Sequence, residues 1–161
     1  MIVVSDTSVI SNLFLVGHFN ILEKLFHSVI IPQKVKDELM ELKGFGVDVN
    51  PIINASFLTV KTPNNLTLVQ QFLTEIDEGE AQAIVLAMEL NADLILVDEL
   101  KGRAIAEQQG LDVTGLLGVL LRAKKQGYLP FVKPILERLK TEAGFYLSDK
   151  LFLQITALAN E

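Results

Sequence analysis

Residues 94–98 read Leu-Ile-Leu-Val-Asp, four apolar residues that stop at a carboxylate. Residues 2–6 read Ile-Val-Val-Ser-Asp, a β-branched run that also stops at an aspartate. Short apolar runs of this kind predict strands that are buried on both faces of a sheet. Parallel sheets bind ligands beyond the carboxyl ends of their strands, so Asp6 and Asp98 would lie where function is expected. A single aspartate after a strand is commonly a turn residue, and only the two together favour a functional site.

Strands and helices alternate around these two runs. Further strands are predicted at 28–31, 57–60 and 111–114, and helices at 8–15, 19–26, 32–42, 66–76, 80–90, 101–109 and 116–126. The weaker segment 49–55 is left unassigned, and the rest of the chain is predicted to be helical. Such alternation indicates a parallel sheet with right-handed crossovers and helices on both faces. We therefore expect an α/β fold, a three-layer α/β/α domain over residues 1–161, with C-terminal helices at about 130–160 as an appended packing element.

The composition excludes several classes of protein. The chain has 161 residues, of which 50% are apolar and 21% are charged, which is typical of one globular domain. It has no cysteine, so disulfides and thiolate metal sites are excluded. No basic region precedes Asp6, and no apolar run approaches the roughly 18 residues of a membrane span, so we expect a cytoplasmic protein without a membrane partner.

The net charge of −6 bears on nucleic-acid binding. Phosphate neutralisation by basic residues supplies much of the affinity of most nucleic-acid binders, so an acidic chain is not expected to bind nucleic acid tightly and non-specifically. An enzyme whose acidic centre holds metal ions, which then meet phosphate, remains compatible with this charge.

Two glutamates are further candidates for the site. Glu80 follows Gly79 at the start of an apolar helix, where an acidic residue also stabilises the helix dipole; Asp77 and Glu78 crowd the same helix entrance. Like charges so crowded are costly unless a cation or a proton relieves them. Glu38 lies on the helix after Pro32, where its charged neighbours favour a solvated helix face over a site residue.

Carboxylates converging on one cleft select hard cations bound through oxygen, and Mg²⁺ or Mn²⁺ is the natural choice. Such an ion lowers the pKa of a bound water and stabilises charge on a phosphate under in-line attack. On this interpretation Asp6, Glu80 and Asp98 bind the metal. His18 and His27 lack the spacing of metal ligands and are expected at the surface.

Four short motifs occur in order along the chain. They are Asp6-Thr7-Ser8 after the first strand, Ile31-Pro32 with Val35 and Glu38-Leu39, Gly79-Glu80-Ala81, and Leu96-Val97-Asp98. Together they resemble the acidic motifs of the PIN-domain superfamily. The fit is closest to a prokaryotic subfamily related to VapC-type toxins, and the later segments 110–127 and 144–148 resemble it as well.

This resemblance implies a sheet of about five parallel strands and a Mg²⁺- or Mn²⁺-dependent endoribonuclease. It assigns Asp6, Glu38, Glu80 and Asp98 to a catalytic acidic quartet, with a supporting hydroxyl from Thr7 or Ser8. Such proteins are commonly the toxin of a type II toxin–antitoxin pair, and often form homodimers. The implied partners are therefore an RNA substrate, a cognate antitoxin and a second copy of the chain.

One position departs from the subfamily pattern. The subfamily usually has two aspartates after the fourth strand, whereas this chain has Asp98-Glu99. Glu99 keeps the charge on a longer side chain, and Arg103 keeps a basic residue that could meet phosphate or simply be solvated.

Two other functions remain open on the sequence. A receiver-type phosphoacceptor domain also gathers aspartates at strand ends, although Asp6 stands alone and the last strand ends in Thr114. A catalytically silent PIN-like module could use the C-terminal apolar stripe (Leu151, Ile155 and Leu158) as an interface, although such stripes more often pack on their own domain.

Overall fold

Five short parallel strands form the central sheet of the computed structural model, which describes residues 1–161. The strands are β1 (Val3–Ser5), β2 (Val29–Ile31), β3 (Leu58–Val60), β4 (Leu94–Leu96) and β5 (Val113–Thr114). They lie in the order β3-β2-β1-β4-β5, and every neighbouring pair is parallel. The expected sheet of about five parallel strands is confirmed.

Ten α-helices connect and cover the strands. They are α1 (Thr7–Leu15), α2 (Ile21–Phe26), α3 (Gln33–Met40), α4 (Asn50–Ile53), α5 (Leu66–Phe72), α6 (Glu78–Glu89), α7 (Leu100–Gln108), α8 (Leu116–Lys125), α9 (Lys133–Glu142) and α10 (Asp149–Leu158), with a 3-10 helix (Glu41–Phe45) after α3.

The three layers follow from the alternation of side chains along each strand. Val3, Leu94 and Leu96 face a larger core, to which α1, α2, α3, α8, α9 and α10 contribute. Val4 and Ile95 face a smaller core, built with α5, α6 and α7. The sheet is therefore covered on both faces, which confirms the α/β/α architecture. The C-terminal helices share the larger core with the first helices of the chain.

Most predicted helix boundaries differ from the structure by one to four residues, and three of the differences have a clear physical reason. Pro32 precedes α3 as its N-cap instead of lying in its first turn, with φ −65° and ψ 158°. The helix predicted at 66–76 ends at Phe72, since the chain must leave helical geometry for Asp77 to cap α6. That cap also places the start of α6 at Glu78, so Gly79 lies inside the first turn.

The strand order separates two of the functions left open by the sequence. A receiver-type domain has the order 2-1-3-4-5, in which the first strand pairs with the third. Here β1 pairs with β2 on one side, but the strand on its other side is β4 and not the third strand. The receiver-type alternative is therefore excluded.

None of the ten helices has the length and the unbroken apolar character needed to cross a bilayer.

Candidate active site

The chain begins the sheet at its centre, with β1, and later changes the side on which it adds strands. From β1 the chain adds β2 and β3 on one side, and β4 and β5 on the other. A crevice forms beyond the strand ends at such a switch point. Asp6 and Asp98 follow the two strands that flank it, and the Asp6 amide donates a hydrogen bond to the Leu96 carbonyl oxygen over 3.0 Å.

Asp6 combines a capping role with deep burial. Its Oδ1 accepts hydrogen bonds from the Val9 amide and the Ser8 hydroxyl, both at 3.4 Å, and so caps α1. The residue is only 2% exposed. Burial and then the negative charge of Asp98 raise the pKa of Asp6 to about 8, while the hydrogen bonds from Val9 and Ser8 oppose the rise. Without a cation nearby, this carboxyl group keeps its proton at neutral pH.

Glu80 enters the same region from the first turn of α6. The Glu80 amide donates to Asp77 Oδ1 over 2.9 Å, so Asp77 fixes the start of the helix. Glu80 is 6% exposed, and its Oε2 is buried without a hydrogen-bond partner. Burial, contact with the Asp77 carboxyl group and the charge of Asp6 raise the pKa of Glu80 to about 8.

Glu38 reaches the site from α3 and is half-buried. Its Oε1 is buried and has no hydrogen-bond partner. Burial and the charge of Asp77 raise the pKa of Glu38 above its usual range. The Thr7 hydroxyl is near enough to oppose that rise, but the pair does not reach hydrogen-bond geometry, since Thr7 Oγ1 is also unpartnered.

Asp98 has one oxygen engaged and one free. Its Oδ1 accepts a hydrogen bond from the Leu116 amide over 2.6 Å, at the start of α8, where the N-cap residue Gly115 has no side chain of its own. Its Oδ2 is buried and unpartnered. Burial raises the pKa of Asp98, while the Leu116 amide and the charge of Arg103 oppose the rise.

The acidic side chains line a wholly polar cleft of about 210 Å³. Its residues are Asp6, Thr7, Ser8, Ser11, Glu38, Asp77, Glu80 and Glu99. Six of the residues predicted from the sequence are thus brought together. Asp98 and Arg103 do not line this cleft; they line an adjoining groove that shares Ser8 and Glu99 with it. Asp98 nevertheless lies near enough to raise the pKa of Asp6.

Three glycines pack against these carboxylates. A Cβ atom added at Gly79 would overlap Glu38 Oε1, and one at Gly102 would overlap Glu80 Oε2. A Cβ at Gly115 would lie 2.8 Å from Asp98 Oδ1 and 2.9 Å from Arg103 Nη1. Only a residue without a side chain leaves each carboxylate where it is.

Sequence reasoning missed three residues that border the site. Asp77 was interpreted as a helix-dipole residue, but it caps α6 and lines the cleft. Ser11 lines the cleft and Asn12 the adjoining groove. Both lie three and four positions after Ser8, on the same face of α1, and this helical spacing was the signal available in the sequence.

The donors present fit a hard divalent cation in an open site. No three acidic or histidine side chains converge tightly enough to enclose an ion by themselves. Mg²⁺ is usually held by only one or two carboxylates and keeps several waters, which matches an open cleft with carboxylate and hydroxyl oxygens alone. The unpartnered oxygens of Glu80 and Asp98 are consistent with a ligand that completes their coordination.

Comparison with known proteins gives one match. Residues 2–161 match the model of a family described as PIN domain. Proteins of this family are generally nucleases that depend on divalent metal ions. No curated protein matches the chain.

Proposed function

Because the chain belongs to the PIN-domain family, we propose that it is a Mg²⁺- or Mn²⁺-dependent endoribonuclease. The observation that carries this proposal is the joint placement of Asp6, Glu38 and Glu80 in one polar cleft at the switch point of the sheet. Three carboxyl groups with raised pKa values in one cleft repel each other when ionised, and a divalent cation removes that repulsion.

Each acidic residue has a role in the proposed hydrolysis. Asp6 and Glu80 would hold the cation from the cleft and Asp98 from the adjoining groove, with waters completing its coordination. When bound, the cation stabilises negative charge on the phosphate and acidifies a coordinated water. Glu38, with its unpartnered Oε1, would accept the proton of the attacking water. The water oxygen would bond to phosphorus while the bond from phosphorus to the leaving oxygen breaks; the leaving oxygen would take a proton from solvent, and Glu38 would release its proton to solvent.

The hydroxyls and the remaining charges would orient the phosphate. Ser8 already donates to Asp6 and fixes its carboxylate, and Thr7 Oγ1 is free to donate to a ligand. Glu99 lines the cleft from the N-cap position of α7, in place of the second aspartate that is usual in the related subfamily. Because its side chain is longer than that of aspartate, Glu99 can contact a bound ligand from the edge of the cleft.

Substitutions at the two aspartates test the proposal. Asp6→Asn and Asp98→Asn keep an oxygen for the α1 and α8 caps, so we expect folded proteins that have lost Mn²⁺-dependent cleavage of RNA by about 100-fold or more. Asp112→Asn, at an exposed aspartate outside the cleft, is the matched control and should cleave as the wild type does. Full activity of either site variant would refute the site.

Mn²⁺ binding separates this proposal from a catalytically silent module. The wild type should bind Mn²⁺ in a calorimetric titration, and Asp6→Asn should bind it more weakly. A wild-type protein that neither binds Mn²⁺ nor cleaves RNA would favour a silent binding module.

We also propose that this activity serves as the toxin of a type II toxin–antitoxin pair in the cytoplasm, with a homodimer as the working form. Expression of the wild-type chain should then arrest growth, while Asp6→Asn should not. Co-expression of the protein from the adjacent reading frame should restore growth, and no arrest by an enzyme that is active in vitro would contradict the toxin role.

A further inference from the structure

The groove beside the acidic cleft has properties that the cleft lacks. It encloses about 650 Å³, within the range of small-ligand sites. Its lining is mixed: Arg103, Asn12 and Ser8 supply polar groups, and Phe145, Tyr146, Leu117 and Leu151 supply apolar surface. Because Ser8 and Glu99 line both the groove and the cleft, the two form one continuous surface.

Tyr146 presents an open aromatic face at this groove. The residue is 87% exposed. A single exposed aromatic residue is not unusual, so its exposure means little by itself. What distinguishes Tyr146 is that the backbone on both sides of it is anchored. The neighbouring Phe145 amide donates to the Leu139 carbonyl oxygen over 3.0 Å, and Leu147 on the other side is buried in the larger core. The backbone that carries the ring is therefore fixed while the ring stays free.

Arg103 is the one basic residue that lines the same groove. The four ion pairs of the structure do not include it, and its guanidinium group makes no hydrogen bond. A Cβ atom at Gly115 would lie 2.9 Å from Arg103 Nη1 and 2.8 Å from Asp98 Oδ1, so the guanidinium group lies close to the carboxylate of Asp98, a proposed metal ligand.

We propose that the groove is a nucleotide-binding subsite for single-stranded RNA, in which a base next to the scissile phosphate stacks on Tyr146 and the adjoining phosphate contacts Arg103. The inference rests on the proposed nuclease function and adds how the substrate is held. It also answers a problem raised by the charge of the chain. With a net charge of −6, affinity cannot come mainly from phosphate neutralisation, whereas stacking on an aromatic ring needs no charge.

The geometry favours an unpaired strand over a duplex. A stacked base must leave its neighbours, and single-stranded segments can splay their bases onto aromatic side chains. The groove offers one open ring with polar groups at one end, and no stripe of basic residues that would follow a duplex backbone.

Binding and cleavage test this subsite separately. In an Asp6→Asn background, which prevents cleavage, a fluorescent single-stranded oligoribonucleotide is titrated and its anisotropy measured. We expect Tyr146→Ala to raise Kd about 5- to 100-fold and Tyr146→Phe to leave it nearly unchanged, since phenylalanine keeps the stacking face. Tyr128→Ala removes a tyrosine that is 40% exposed and lines neither the cleft nor the groove, and serves as the control.

Arg103→Ala should weaken binding and flatten its salt dependence by about 0.7 in the slope of log K against log salt, as expected for one lost phosphate contact. In the active protein, Tyr146→Ala should raise KM and leave kcat nearly unchanged. A merely structural role of Tyr146 would instead lower the Tm, and Tyr146→Phe would not restore binding.

Each failure has its own signature. If the wild type cleaves RNA and Tyr146→Ala binds and cleaves equally well, the subsite is wrong and the nuclease stands. If the wild type never cleaves but binds single-stranded RNA in a Tyr146-dependent manner, the subsite stands and the nuclease proposal fails. Equal binding of a duplex RNA would overturn the single-strand inference.

Discussion

Gly102 lies inside α7, where glycine weakens a helix by about 1 kcal/mol relative to alanine. The stability of α7 alone would therefore disfavour glycine at position 102. Its surroundings explain it: a Cβ would overlap Glu80 Oε2 and would lie 3.0 Å from Val97 Cγ1. The glycine allows α7 to pack against a carboxylate that must stay in place, and Gly79 does the same for Glu38. At this scale the positions of the acids depend on the absence of neighbouring side chains.

Gly102→Ala should separate activity from stability. The new methyl group has to move the Glu80 carboxylate, because Val97 blocks its other side, and displacements of this kind cost about 10- to 100-fold in activity. The Tm should stay the same or rise, since alanine favours the helix. Cleavage rates and thermal unfolding are the two measurements.

Gly44→Ala is the control for this substitution, because nothing lies within 4 Å of a Cβ at Gly44 and its backbone needs no left-handed conformation. It should leave the cleavage rate unchanged. A fully active Gly102→Ala protein would show that Glu80 tolerates displacement or plays no part in the chemistry.

At the scale of elements, two helices are capped by carboxylates from elsewhere in the chain. Asp98 caps α8 by accepting from the Leu116 amide. At α9 the N-cap residue is Val132, whose side chain cannot accept a hydrogen bond, and the Glu161 carboxylate accepts from the amides of Val132 and Lys133 instead. Capping from such a distance leaves no local signal in the sequence.

The elements themselves could be predicted, because their causes are local. The apolar run at 94–97 and the turn residues around it specify β4 without help from the rest of the chain. The start of α10 also has a local cause, since the Ser148 side chain accepts from the Leu151 amide over 3.1 Å. The end of α5 at Phe72 could not be predicted in this way, since it depends on Asp77 capping the next helix.

Glu161→Ala should destabilise the protein at neutral pH by about 1–2 kcal/mol, through lost charge-assisted hydrogen bonds from two amides and Lys124. Glu161→Gln keeps an acceptor and should lose less. These partners lower the pKa of Glu161, so its contribution is present above about pH 4.5 and is lost as the pH falls through the lowered pKa.

Glu142→Ala is the matched control on α9, because an exposed ion pair such as the one between Glu142 and Arg138 contributes little to stability. Urea unfolding of the three variants gives the comparison. Equal midpoints for Glu161→Ala and Glu142→Ala would show that the distant cap contributes nothing.

At the scale of the whole molecule, the topology determines which of the predicted residues meet. The alternation of strands and helices predicted a parallel sheet, but not that β1 lies between β2 and β4. That order is what places Asp6 beside Asp98. The sequence could not show that Glu38 is half-buried, since its solvated neighbours Asp37 and Glu41 are typical of an exposed helix face. Which acids line the cleft, and which the groove, depends on tertiary packing alone.

The buried acids make the stability of the metal-free protein depend on pH. Their folded pKa values of about 8 exceed the ordinary values of 3.8 for Asp6 and 4.5 for Glu80, so folding favours the protonated forms. Their contribution is complete below about pH 4 and is lost as the pH rises through about 8. In EDTA, the Tm of the wild type should therefore fall between about pH 5 and pH 8.5.

Asp6→Asn removes one of these titrations, so its Tm should fall less over the same interval. At about pH 8.5 in EDTA it should exceed the wild-type Tm by at least about 3 °C, since 1 kcal/mol shifts the Tm of a chain this long by about 2–4 °C. Mn²⁺ should reverse the order, because the cation stabilises the ionised wild-type cleft and finds fewer ligands in the variant. Asp112→Asn, at an exposed aspartate, should follow the wild type under every condition. Parallel pH profiles for the wild type and Asp6→Asn in EDTA would show that folding does not raise the pKa of Asp6. The raised pKa would then no longer support a cation site beside this residue.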